Sequence, residues 1–199
     1  MTACATDPVL WAHALIHQRR TTLPKRLRGP GPDAAQKQLI LHAASAAPDH
    51  DQLLPWRFIE VPAPARAQLG EAFAQALRER DPLAAAEALA QAREKAQRAP
   101  WLLVLVVRTG GAPAAIPAGE RLLSAGAAVQ NMLLMCGALG LASGLTSGQA
   151  MDSRPLRALL RLGAEEQAVC FVNIGHLGAP RQPRARPEVA RFFSVLGKA

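Results

Sequence analysis

Apolar positions recur along the chain in helical, extended and unbroken patterns, and each predicts a different element. Over residues 9–18 (VLWAHALIHQ), Val9, Leu10, Ala14, Leu15 and Ile16 have helical spacing and predict an amphipathic first helix that closes on Arg19, Arg20 and Thr21. The next segment holds Pro24, Gly29, Pro30, Gly31 and Pro32 and reads as a loop. Asp33 followed by Gln36 is a capping-box pattern, so a second helix runs to about Ala47, before Pro48. Residues 47–56 (APDHDQLLPW) form a non-repetitive loop carrying His50, and WRFIEV after it reads as a strand. Two Ala-rich helical stretches, roughly 64–78 and 83–98, are divided by Asp81 and Pro82. WLLVLVV, residues 101–107, is an unbroken apolar run and predicts a strand buried on both faces.

The longest pattern, residues 120–148 (ERLLSAGAAVQNMLLMCGALGLASGLTSG), predicts a central helix that is apolar nearly all round. Ala125, Gly126, Ala127 and Ala128 are small enough to let another backbone approach. The helix is expected to stop near Gly140, with Ser143 and Gly144 as turn residues and a short extended piece from Leu145 to Ser147. Gln130 and Asn131 near the middle of the apolar run, and the glycines after them, argue for burial in a protein core over a membrane span. A short helix at 155–162 precedes a third strand at 168–174, closed by Gly175, and residues 191–195 are a candidate last strand. Few strands and many helices give a layered α/β or α+β domain. At 199 residues the chain suits one domain, with the Pro- and Arg-rich segment from residue 178 onward read as a tail wrapping the surface or a second subunit.

The formal net charge of +8 permits contact with anions. The arginines are dispersed, however, and with no Tyr and only five Phe, stacking platforms for nucleic acid are scarce. Nucleic-acid binding is therefore not expected. Cys4, Cys136 and Cys170 are odd in number and widely spaced, without metal-ligand spacing, which fits a reducing cytoplasm. No export signal is read at the N-terminus.

Nucleophile and metal motifs are missing: there is no GxSxG, no HExxH and no Walker A. His13 and His17 are four apart, but with no third ligand they read as a structural pair. Arg19, Arg20 and Thr21 together offer two guanidinium groups and a hydroxyl, suited to phosphate or polar ring edges. The same arginines also complement the negative end of the helix they close. Thr146 and Ser147, lacking a placed base, suit hydrogen bonding to a ligand better than nucleophilic attack.

The motifs QRRT (18–21), AASAAPDHDQLLPWRFIEV (43–61), AGAAVQNMLLMCGALGLASGLTSG (125–148) and VNIGHLGAPRQPR (172–184), in this order, resemble the FMN-dependent nitroreductase family, in particular its compact bacterial NAD(P)H nitroreductases. The resemblance spans nearly the whole chain. It implies an α+β fold with a central sheet flanked by helices, and a homodimer with the long apolar central helix at its interface and FMN bound in each of two clefts between subunits. By motif, Arg19, Arg20 and Thr21 would hold the flavin from one subunit, and Ala46 and His50 would approach it from the other. Leu145, Thr146 and Ser147 would supply backbone and hydroxyl contacts beside the ring, while Arg184 or Arg186 matches the phosphate position more loosely. The implied activity takes hydride from NAD(P)H and reduces a nitroaromatic, quinone or similar small acceptor by a ping-pong cycle. Such an enzyme needs no acid–base triad, because the cofactor carries the chemistry. The chain departs from the family pattern at Leu54, where a polar residue commonly precedes Pro-Trp, and at Leu145. Leu54 motivates a rival reading: a flavin- or nucleotide-binding protein of the same fold without turnover.

Overall fold

The structure, a computed structural model, describes residues 7–179 and 185–197. Helix α1 (Pro8–Gln18) opens on Asp7, whose carboxylate accepts the Val9 N–H at 2.9 Å. A 3-10 turn (Pro24–Arg26) leads into the two-residue strand β1 (Leu27–Arg28). Helix α2 (Ala34–Ala44) carries the expected capping box: Asp33 accepts the Gln36 N–H at 2.8 Å, and the Gln36 side chain accepts the Asp33 N–H at 3.0 Å. Strand β2 (Trp56–Glu60), helices α3 (Arg66–Arg80) and α4 (Ala86–Lys95) and strand β3 (Trp101–Arg108) follow. The long helix α5 (Ala118–Ala138), strand β4 (Ala142–Thr146), the short helix α6 (Arg154–Leu159) and strand β5 (Glu166–Leu177) complete the core.

All strand pairings in the five-stranded sheet are antiparallel. Strand β5 is bonded along both edges. β3 lies on one side, from Trp101↔Ile174 to Arg108↔Glu166, and carries β2 on its far edge. On the other side β4 pairs with residues 171–175 and β1 continues the same edge at His176 and Leu177. Helices cover both faces. Ile40 of α2 and Val129, Met132 and Cys136 of α5 pack on Leu103, Leu105 and Val107. Leu69 of α3 and Leu156 of α6 pack with Met151 and Phe171 on Leu102, Val104 and Val106. β3 thus sends alternate side chains into two cores, so every second residue is apolar in each direction and the run is continuous. Each such Leu or Val stabilises the fold by roughly 1.5–3 kcal/mol. This is the α+β architecture expected from the sequence.

Several boundaries differ from the sequence reading. The loop after α1 contains β1, because Leu27 is buried against the end of β5 and the peptide groups there pair with Leu177 and His176. Ser143 and Gly144 are not turn residues; they lie inside β4, and only Gly140, with φ +72°, serves as the helix stop. Gly175 does not close the last strand but lies within β5, opposite Ala142, where a Cβ would crowd the Pro100 ring. Residues 191–195 form no strand: a 3-10 turn, Val189–Arg191, precedes exposed Phe192 and Phe193. Cys4, Arg181 and Arg184 lie outside the described residues, as does part of the 172–184 motif. Helix α5 is apolar nearly all round but is buried along one stripe only, from Ser124, Ala125 and Ala128 to Cys136. Leu122 and Leu123 are exposed on its other side, where a Cβ added to Gly126 would meet nothing within 4 Å.

The start of α5 is fixed by a buried cation. Arg121 is 1% exposed and donates to the carbonyls of Ile116 (3.0 Å), Gly110 (2.8 Å), Gly111 (2.9 Å), Pro113 (2.9 Å) and Arg108 (3.4 Å). Its planar fork satisfies the loop between β3 and α5, whose peptide groups have few partners of their own. Arg121→Ala should therefore lower unfolding stability by about 3 kcal/mol or more, read from the denaturant midpoint. Arg121→Lys should recover only part of it, since an ammonium on a thinner stem cannot reach all five carbonyls.

Candidate functional site

Helix α1 ends where Arg19 and Arg20 leave helical geometry, and the chain then runs along the free edge of β4. Thr21 bridges to Ser143, and the Thr22 N–H donates to the Ser143 carbonyl at 2.8 Å. The approach is so close that a Cβ on Gly144 would collide with the Thr22 carbonyl oxygen. The glycine that read as a turn signal is there to admit a neighbouring backbone. Two of the three groups expected from the sequence, Arg19–Thr21 and Leu145–Ser147, are joined by this contact.

At Arg19 the structure assembles a cluster of cations. Its guanidinium donates to Thr21 Oγ1 at 3.4 Å, Arg20 donates to the carbonyls of His17 and Arg19, and Arg186 reaches back to the Arg19 carbonyl at 2.7 Å. Burial, then Arg186 and Arg20, pull the Arg19 guanidinium below its ordinary pKa. Among the described residues none of the three arginines makes an ion pair. Of the two tail arginines loosely matched to the phosphate position, Arg186 is the one that joins this cluster, and Arg184 lies outside the described residues.

The end of β4 is held from below by Asn173, 4% exposed within β5. Its amide donates to Thr146 Oγ1 at 3.0 Å and to the Gly144 carbonyl at 3.2 Å, fixing the Thr146 hydroxyl. Sequence reasoning missed this residue, although a lone asparagine in the apolar run CFVNI was a visible signal. Beyond Thr146 and Ser147 a cavity of about 500 Å³ opens between the 3-10 turn, α3, α4 and the segment leading to α6. Leu102, Phe73, Met151 and Phe171 line it, with Phe73 and Phe171 edge to face at 5.5 Å, and Lys25, Arg80, Lys95 and Arg98 are its cations.

The third expected group stands apart. Ala46 lies exposed in the turn after α2, and His50 begins a 3-10 turn, His50–Gln52. This loop is tied to the first turns of α5. His50 Nδ1 lies 2.6 Å from Glu120 Oε2, Asp49 accepts the Ser124 hydroxyl at 3.3 Å, and Ser124 accepts the Trp56 indole N–H at 2.9 Å. Asp49 also accepts the Leu54 N–H at 2.6 Å. Asp51, Gln52 and Leu54 have φ of +51°, +54° and +46°, a left-handed backbone costing roughly 1–2 kcal/mol at each non-glycine residue. Leu54 bears a further restriction because it precedes Pro55. Among the described residues, no hydrogen bond or ion pair joins this loop to Arg19–Thr21 or to Leu145–Ser147. His13 and His17 stack at 4.2 Å on the exposed face of α1, and no group of three or more metal-binding side chains occurs among the described residues.

A sequence model of the nitroreductase family matches residues 16–176. A Haemophilus influenzae protein named "Putative NAD(P)H nitroreductase" is 31% identical over 151 residues, 76% of this chain and 81% of that protein. A nitroreductase-like family protein from Bacillus cereus superposes with a TM-score of 0.81 at 18% identity, covering 100% of both chains. A nitroreductase with bound FMN from Bacteroides fragilis superposes with a TM-score of 0.69 at 20% identity, covering 96% of this chain and 100% of that one.

The hydrogen bond to Glu120, helped by the charges of Asp51, Glu120 and Asp49, raises the His50 pKa above its ordinary value. A raised folded-state value means that the stabilisation is fully present below the ordinary imidazole pKa and is lost as pH rises through the raised one. An NMR titration should find His50 titrating above a free imidazole, and Glu120→Gln should bring it down.

Proposed function

The chain belongs to the nitroreductase family, and from that premise we propose that it is an FMN-dependent oxidoreductase. It takes hydride from NAD(P)H and reduces a nitroaromatic, quinone or similar small acceptor. The observation that carries the reading is the cluster of Arg19, Arg20 and Arg186 beside the Thr21 hydroxyl, three guanidinium groups without an ion-pair partner among the described residues. Such a donor set suits a phosphate dianion, which would also relieve the mutual repulsion felt by Arg19. The Thr22–Ser143 pairing carries that anchor onto β4, so Leu145, Thr146 and Ser147 can line the ring at a fixed separation from the phosphate. Asn173 orients the Thr146 hydroxyl and leaves its proton free to donate outward. FMN, when bound, supplies the hydride-accepting centre. Donor and acceptor would use one cleft in turn, the arrangement of a ping-pong cycle.

Among the described residues no hydrogen bond or ion pair joins the Ala46–His50 loop to its own chain's Arg19 group, which supports two copies sharing each site, His50 reaching the phosphate side of its partner's flavin. Uncovered apolar surface supports the same homodimer: Val9, Leu10 and Trp11 on α1 and Leu123 on α5 are 73%, 67%, 58% and 74% exposed. We take residues 1–199 as one domain whose tail, from residue 178, packs on the surface or on the partner. Cytoplasmic residence is proposed from the buried, unpaired thiols Cys136 and Cys170, whose pKa values burial pushes up to about 12 and about 11. No helix among the described residues is long and apolar enough to cross a membrane.

A second reading, flavin binding without turnover, rests on Leu54, exposed where the family carries a polar residue. Anaerobic addition of NADPH or NADH to the FMN-loaded protein separates the two. Bleaching of the visible flavin spectrum is expected for the oxidoreductase, and a spectrum that stays oxidised supports the second reading. Arg19→Ala should weaken FMN binding by about 1.5–3 kcal/mol in a fluorescence titration. Light scattering should return twice the mass of the chain.

A further inference from the structure

The cavity beyond Thr146 and Ser147 has a charge pattern that the flavin reading leaves unexplained. Of the eighteen residues lining it, four are cationic, Lys25, Arg80, Lys95 and Arg98, and none is Asp or Glu. Three cations elsewhere are neutralised by carboxylates: Arg93 pairs with Glu71 at 2.6 Å, Arg57 with Glu166 at 2.7 Å and Lys37 with Glu60 at 2.8 Å. In the cavity only Arg98 has an ion pair among the described residues, at 3.3 Å to Glu94. Arg80 and Lys95 end α3 and α4 and complement those helix dipoles, but that explains neither Lys25, in a separate element, nor the lack of any carboxylate. A concave wall of one charge sign concentrates anions. Its apolar floor, with Phe73 and Phe171, suits the flat part of an aromatic molecule.

We infer that this cavity receives the anionic group of the second ligand that meets the flavin, either the 2′-phosphate of a nicotinamide donor or a carboxylate of an acidic aromatic acceptor. The inference rests on the proposed placement of the flavin ring along Leu145–Ser147, since Thr146 and Ser147 also line this cavity. Lys25, Arg80 and Lys95 attract and hold the anion, and the aromatic floor accepts the ring that carries it. An analogue of the same shape that lacks this anionic group gains only the floor.

The test is isothermal titration calorimetry on the FMN-loaded protein with two matched pairs, NADP⁺ against NAD⁺ and 4-nitrobenzoate against 4-nitrobenzamide. The anionic member of at least one pair should bind at least about tenfold more tightly, and added salt should narrow the gap. A gap in the first pair assigns the anion to the donor, and a gap in the second assigns it to the acceptor. Arg80→Gln and Lys25→Gln, made separately, should each reduce the gap by roughly threefold to tenfold. Equal affinities within both pairs would overturn the inference, as would a gap that neither substitution changes. If FMN is not retained, the flavin reading fails by itself, and the same titrations on the flavin-free chain still report whether the cavity selects anions.

Discussion

Backbone pairing along β5 is the constraint from which the site follows. A strand with Ala168, Val172 and Ile174 buried must find partners for peptide groups on both edges, because an unpaired buried N–H or carbonyl is costly. β3 satisfies one edge for eight register positions, and β4 and then β1 share the other. That division of one edge leaves β4 with a free edge, and the chain that leaves α1 pairs with it at Ser143. The cationic cluster at Arg19 and the hydroxyl groups at Thr146 and Ser147 are tied together through the Thr22–Ser143 pairing because two short strands were needed to finish one long one.

Much of this was legible in the sequence where periodicity was strong. The run 101–107, the capping box at Asp33 and Gln36, and the long helix ending at Gly140 all report local chemistry that tertiary packing reinforces. Glycines were read less well, because in sequence a glycine that turns the chain looks like one that admits a neighbour. Gly140 does the first, and Gly144 and Gly175 do the second. β1 was invisible because two residues carry no period, and its pairing is decided by the far end of the chain. Within the candidate site, the motif groups could be named and Arg186 only as one of two loosely matched tail arginines, but the cavity cations could not, since a lysine or arginine on an exposed helix end looks the same with or without a carboxylate nearby.

The loop through His50 and Leu54 contrasts with the regular elements around it. Three left-handed residues within four positions are tolerated because Asp49, Ser124 and Trp56 hold both sides of the loop in one hydrogen-bonded chain. Strain kept in a fixed shape preorganises exposed groups, at some cost in local stability. The same economy of partners is seen at α1 and on the outer face of α5, whose apolar residues Val9, Leu10, Trp11 and Leu123 find no cover among the described residues.

Adjacent residues at the start of α5 grip two different segments by two different chemistries. Arg121 holds the preceding loop with a charge that an arginine keeps at all ordinary pH, whereas Glu120 holds His50 through a pair whose charge depends on a proton. Acidification therefore strengthens one grip and leaves the other as it was. The first turn of this helix behaves as an asymmetric clamp, constant toward the sheet and adjustable toward the loop.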